Sequence, residues 1–162
     1  MTHGLDTSFL VAIEVRSHEA HTTARARFQK LAKAGDTFSL TPQILAEFIH
    51  VVTDSRRFSA PLTVERAVER ADIWWNAAEI VQVFPTAEST LRFLGWLEEF
   101  KLGRKRLLDT MLASTLEAGG VTSLLTLNPT DFALFEAFTF PKMKPTRTED
   151  PTRPRKAQNH GA

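Results

Sequence analysis

The chain contains no cysteine among its 162 residues. That absence excludes a disulfide framework, thiolate zinc sites and iron–sulfur clusters, and it suits a reducing compartment. Long apolar runs are also missing. The stretch ILAEFIHVV (44–52) is broken by Glu47 and His50, whereas a membrane-spanning helix needs about 20 mostly apolar residues. Asp6 and Glu14 interrupt the segment in which a secretory leader would carry its apolar core. The expectation is a cytoplasmic protein with no membrane segment. Several catalytic signatures are absent too. There is no GxxxxGK[ST] loop and no GxSxG elbow, which argues against a P-loop enzyme and an α/β-hydrolase. HEAH at 18–21 is not HExxH, because its histidines are three apart, and His18 and His21 read as solvated residues near a helix start. An aspartyl-phosphate phosphatase would want a second Asp two residues after Asp6, where Ser8 stands.

What is present suits one globular domain. The length falls within ~100–200 residues per domain, and such a chain buries roughly 70% of its unfolded surface without needing a staple. The net charge of +1 conceals an asymmetry. Residues 142–162 carry six basic and two acidic residues, net +4, which leaves −3 for residues 1–141. A segment this polar and proline-rich cannot bury enough apolar surface to order itself. The expected organisation is therefore a domain at 1–141 and a basic, disordered tail at 142–162. The tail reads as a solvated extension or as a salt-sensitive nucleic-acid contact.

Within 1–141, short apolar runs alternate with helical patterns. A weak strand is expected at Thr2–Leu5, where His3 and Gly4 dilute the apolar character, followed by a helix from Ser8 to Val15. Ser17 is placed to cap a second helix that Gly35 ends. A strand at 37–40 precedes Thr41 as cap and Pro42 in the first turn of a helix to Val52. Thr63 begins a helix to about Asn76, and residues 80–84 read as a strand by their β-branched content. Thr86 starts a helix that Gly103 closes; a helix at 106–118 ends at Gly119-Gly120. Strands follow at 121–127 and, shorter, at 138–140. Strands alternating with helices of 10–15 residues predict an α/β fold with a parallel sheet covered on both faces. In such a sheet the ligand crevice lies beyond the carboxyl ends of the strands.

Four acids fall where that crevice is expected. Asp6 follows the first strand. Glu47 lies among Ile44, Leu45, Phe48 and Ile49. Asp109 is framed by Leu107, Leu108, Met111 and Leu112. Asp131 lies just past the 121–127 strand. A charge within an apolar helical frame is costly unless it is paired or metal-bound. Gathered in one cleft, the four would raise one another's pKa. A hard divalent cation, Mg²⁺ or Mn²⁺, relieves that repulsion and suits phosphate chemistry. His50, one turn after Glu47, reads as a core or surface histidine, or else as one that flanks the same cleft. Each acid taken alone also fits the polar side of an amphipathic helix, and Asp6 alone fits a helix cap, so their convergence is the point for the structure to decide.

The blocks LDTSFL (5–10), TPQILAEFIHVVT (41–53), LLDTMLAST (107–115) and TLNPTDFALF (126–135) resemble those of PIN domains, and in particular of VapC-type toxin ribonucleases. The order and spacing are family-like over most of residues 4–140. The resemblance implies a three-layer α/β/α fold with a mostly parallel sheet and Mg²⁺- or Mn²⁺-dependent endonuclease activity on RNA. It maps an acidic quartet of catalytic and metal-binding residues onto Asp6, Glu47, Asp109 and Asp131, with Thr126 and Asn128 as polar helpers. Asn128 and Asp131 compete for the fourth place, and charge favours Asp131. Thr7 and Ser8 are then left to cap the first helix. The resemblance further implies a homodimer and a small cognate antitoxin. Arg104, Lys105 and Arg106 are placed to hold an RNA backbone or simply to solvate a helix start. Phe93, Trp96 and Phe100 read as core, or else as a partner surface. The rival expectations are a PIN nuclease of RNA processing or of single-strand or flap DNA, and a non-catalytic RNA- or protein-binding module.

Overall fold

The computed structural model describes residues 1–143. Four strands, β1 (Thr2–Leu5), β2 (Thr37–Leu40), β3 (Ile80–Gln82) and β4 (Leu124–Leu125), form one sheet in the order β3-β2-β1-β4. Every pairing is parallel. Seven helices connect and follow them: α1 (Thr7–Glu14), α2 (His21–Lys33), α3 (Pro42–Val52), α4 (Val64–Trp75), α5 (Ala87–Glu99), α6 (Leu107–Ala118) and α7 (Thr130–Ala133). None of the described helices is long and apolar enough to cross a membrane. The expected basic tail lies, from residue 144 on, outside the described residues.

The connections explain the layering. The chain steps from β1 to β2 to β3 in one direction across the sheet, then crosses back to place β4 on the far side of β1. Right-handed crossovers put helices of opposite travel on opposite faces. Accordingly α1 packs on α2 and α3, and α3 on α4, while α5 packs on α6. The travel reverses between β1 and β4. That junction is the topological switch point, where open α/β sheets form their ligand crevice.

The core is built from both faces of the two central strands. Leu5, Phe38, Leu40 and Leu124 have no more than trace exposure, and Phe9, Phe48, Leu112 and Leu116 fill the space between sheet and helices. The unusual composition of β1 has a packing reason. A Cβ on Gly4 would stand 2.6 Å from Leu116 Cδ1, so glycine lets α6 approach the sheet closely. His3 is buried, with Nδ1 2.7 Å from Ser123 Oγ and Nε2 3.3 Å from Asp36. This strand therefore exchanges apolar side chains for close approach and polar tethers to neighbouring segments.

Several expected boundaries shift. α2 begins at His21 rather than after Ser17, because His18 folds back and its Nδ1 accepts the Ala20 amide at 3.1 Å, which holds residues 16–20 in turns. Gly35, at φ +83°, ends α2 as expected. α5 ends at Glu99, and Lys101 in the left-handed region (φ 51°) makes the exit, not Gly103. β3 and β4 are shorter than the apolar runs 80–84 and 121–127. Residues 138–140 contribute one parallel bridge, Ser123 to Thr139. On α5, Trp96 stacks on Phe135 at 4.7 Å and Phe100 meets it edge-on. The exposed apolar residues of that helix are Leu91 and Leu94 instead.

Candidate functional site

Asp6 is the first residue beyond β1, and Thr126 the first beyond β4, so the switch point sets them side by side. The Asp6 amide donates to the Leu125 carbonyl at 3.0 Å, tying the two strand ends together. Asp6 stands at the N-cap position of α1 with extended backbone, and its carbonyl accepts from Phe9 and Leu10. Its side chain makes no capping hydrogen bond. The carboxylate instead receives the Thr126 hydroxyl at 2.8 Å and the Ser8 hydroxyl on the same oxygen, Oδ2. Ser8 Oγ in turn accepts the Leu127 amide at 3.0 Å. Thr7 and Ser8 thus do not cap the helix: both hydroxyls serve acids. Asp6 is 8% exposed, and burial pushes its pKa up against the pull of those hydroxyls.

Glu47 reaches the same cleft from α3. Its Oε2 accepts the Thr7 hydroxyl at 3.1 Å and its Oε1 accepts the Gln43 amide at 2.6 Å. Gln43 lies one helical turn earlier and also donates to the Leu108 carbonyl at 2.9 Å, bridging α3 to the start of α6. Asp109 enters from the first turn of α6. Its pKa is raised to about 6, first by burial, then by the negative charge of Asp6, with Asp131 and Glu47 adding to it and only Arg106 opposing. Asp109 therefore feels the charge of the other three acids, Asp6, Asp131 and Glu47.

Arg106 is the one counter-charge within this set. Its Nε lies 3.4 Å from Asp109, its Nη1 lies 3.1 Å from the Asp131 carboxylate, and its Nη2 donates to the Asp131 carbonyl. The guanidinium thus fastens α7 to the start of α6. Its neighbours Arg104 and Lys105 are exposed in a 3₁₀ turn. Of the three basic residues placed either to hold an RNA backbone or to solvate a helix start, Arg104 and Lys105 are exposed and Arg106 is engaged by acids.

The acids open onto a cleft of about 730 Å³ whose lining includes Asp6, Thr7, Ser8, Glu47, Asp109 and Asn128. Asn128 is part of the wall and Asp131 is not; Asp131, 44% exposed at its side chain, is turned to Arg106. Between these two residues, the position facing the cleft is that of Asn128. His50, placed by its spacing either beside the cleft or as an ordinary core or surface histidine, lines the cleft. His18, Arg57 and Phe58 line it as well, although the sequence pattern did not single them out for it. Gln43 was readable in principle, as the residue four before Glu47 on one helix. Arg57 and Phe58 sit in a loop, where no periodicity marks them.

The donor set tests which metal suits the cleft. Besides the imidazoles of His18 and His50, it offers carboxylate, hydroxyl and amide oxygens and no thiolate. Among the described residues, no three His, Asp or Glu side chains close into a cage. An ion that demands a complete protein shell does not fit. One that retains most of its waters and takes one or two carboxylates does, which describes Mg²⁺ and, with similar oxygen preference, Mn²⁺.

Comparison with known proteins agrees with this architecture. Residues 5–135 match the PIN domain family. No curated protein sequence matches the chain. Among solved structures, Mycobacterium tuberculosis VapC20, described as a toxin that cleaves the sarcin–ricin loop, superposes with a TM-score of 0.65 at 17% identity, over 83% of this chain and 95% of that one. VapBC-1 from nontypeable Haemophilus influenzae gives 0.63 at 16% identity, over 88% and 98%. A toxin–antitoxin complex from Klebsiella pneumoniae gives 0.58 at 16%, over 88% and 99%. At such identities the likeness establishes a shared fold, and the family match spans the strands and helices that build the cleft. The chain belongs to the PIN domain family.

Proposed function

We propose that the protein is a Mg²⁺- or Mn²⁺-dependent endoribonuclease and the toxin of a toxin–antitoxin pair. The observation that carries the chemistry is the approach of Asp6, Glu47 and Asp109 to one cleft at the switch point, with Asp109 held near pKa 6 largely by burial and by Asp6. Acids arranged against their own repulsion favour a cation in their midst.

In this reading Asp6 and Asp109 are the direct metal ligands. Asp6 Oδ2 is held by the Ser8 and Thr126 hydroxyls, which orient the carboxylate. Glu47, with both oxygens already engaged by Thr7 and Gln43, acts through water. Asn128 offers its amide to a phosphate oxygen or water at the cleft wall. Asp131 serves indirectly, by holding Arg106 against Asp109. When bound, a divalent ion would supply Lewis acidity toward the phosphodiester and would lower the pKa of a water. No covalent protein nucleophile is required. Support for the toxin role comes from the structural neighbours, one described as a toxin that cleaves the sarcin–ricin loop and another as a toxin–antitoxin complex. A small antitoxin that blocks the cleft and a homodimeric assembly belong to the same proposal, as do a nuclease domain at 1–141, a basic tail beyond it and a cytoplasmic location.

The test is incubation of total RNA with the wild-type chain and with Asp6→Asn, in Mg²⁺, in Mn²⁺ and with chelator. Metal-dependent fragments from the wild type, reduced on the order of 10²-fold or more in the variant, are expected. Equal cleavage by both proteins, or cleavage that survives the chelator, would contradict the proposal.

A further inference from the structure

The cleft is much larger than a metal site. Six waters around an ion, at ~30 Å³ each, occupy roughly a quarter of its 730 Å³. The rest of the lining has a different chemistry from the acids. His18 comes from the turn between α1 and α2, His50 from α3, and Arg57 and Phe58 from the loop between α3 and α4, with Val11 and Val51 also in the lining. None of these is a carboxylate. The cleft thus combines its acids with an aromatic ring, apolar side chains and three nitrogen-bearing side chains.

This part of the lining is a built structure. The loop that carries Phe58 is closed by its amide bonding the Asp54 carbonyl at 3.2 Å, and by Leu62 N–H bonding the Val52 carbonyl at 2.9 Å. Asp54 gathers Arg56 at 3.1 Å and Arg57 at 3.6 Å, so the loop's charges are organised around it. Phe58 is anchored against the core on one side and contributes to the cleft on the other. His18 Nδ1 accepts the Ala20 amide at 3.1 Å, which leaves Nε2 as the nitrogen that can donate into the cleft.

Resting on the ribonuclease reading, we infer that this part of the cleft is a nucleotide subsite: Phe58 stacks the base of a single-stranded RNA next to the scissile phosphate, Arg57 pairs with the neighbouring phosphate, and His18 and His50 donate hydrogen bonds to the base edge or ribose. Recognition of single-stranded RNA relies on such aromatic platforms, because an unpaired base always offers a π-face. The arrangement sets substrate choice by the conformation of the RNA: a base locked in a duplex cannot turn onto Phe58.

The test compares wild type, Phe58→Leu and Phe58→Trp on a fluorescein-labelled single-stranded RNA, and on the same RNA with one abasic nucleotide beside the cleavage point. Leucine keeps the core packing and loses the stacking face; tryptophan keeps the face. Binding is read by anisotropy in Mg²⁺ with each change placed on an Asp6→Asn background, and KM and kcat with Asp6 intact. Phe58→Leu should weaken binding and raise KM about tenfold with kcat within about twofold, and Phe58→Trp should stay near wild type. The abasic RNA should bind wild type and Phe58→Leu equally. Arg57→Ala should reduce the slope of log affinity against log salt by about 0.7. Unchanged binding in Phe58→Leu, or the same loss on intact and abasic RNA, would overturn the subsite while leaving the nuclease reading in place. A wild-type chain that neither binds nor cleaves RNA would overturn both.

Discussion

Asp109 is the residue on which the electrostatics of the cleft converge, and it gives the account a pH signature. Its pKa in the fold is about 6, against 3.8 for an unperturbed side chain, with burial the main cause and Asp6 next. The folded state therefore holds this proton more tightly than the unfolded chain does. Its contribution to stability is complete below pH ~4 and is lost as pH rises through about 6. In chelator, the Tm of wild type should fall relative to Asp109→Asn across that window, and Mg²⁺ or Mn²⁺ should restore it only in the wild type. Parallel melting curves for the two proteins would show that Asp109 feels no such field. The acids themselves were legible in the sequence because each breaks an apolar frame or follows a strand. Their hydrogen-bond partners were less so. The Thr7 hydroxyl turns to Glu47, 40 residues on, and Thr126 reaches Asp6 across 120, and local capping preferences do not contain that information.

At the level of elements, Arg106 makes α6 and α7 one unit. It touches Asp109 within its own helix start and holds both the carboxylate and the carbonyl of Asp131. α7 has only four residues, too short to be stable alone, so this clamp, together with buried Phe132, holds it in place beside the loop carrying Thr126 and Asn128. Arg106→Ala and Asp131→Ala should each lower cleavage by roughly 10–100-fold, as loss of an outer-shell partner does. The double variant should be no worse than the more damaged single, because the two act through one contact. Fully additive losses would mean that Arg106 acts on RNA directly, as its position in a basic triplet suggested from sequence. The helix starts Thr41, Thr63 and Thr86 were readable because each side chain caps its own helix. Ser17 and Gly103 misled because a histidine contact and a left-handed lysine took over those boundaries. The outer strands are shorter than their apolar runs. β-branched sequence favours extended backbone, but only residues with a neighbour to pair become strand.

For the molecule as a whole, the order β3-β2-β1-β4 is the decisive feature. Reversal of the chain's travel beside β1 brings Asp6 and Thr126 together, and α3 and α6 reach the same opening from opposite faces of the sheet. The alternation of strands and helices made a parallel α/β sheet legible, and the rule about strand ends located the crevice. The rest of the cleft lining was not legible, because His18, Arg57 and Phe58 lie in turns whose paths are set by tertiary contacts. The central claim is that this junction holds a divalent ion between Asp6 and Asp109. A crystal structure of the wild-type chain grown with Mn²⁺ tests it directly, through the anomalous signal of the metal. The account predicts a peak in the cleft within about 2.0–2.3 Å of a carboxylate oxygen from Asp6, Asp109 or both, with water completing the shell. A cleft without such a peak at saturating Mn²⁺, or a peak bound only elsewhere on the molecule, would contradict it.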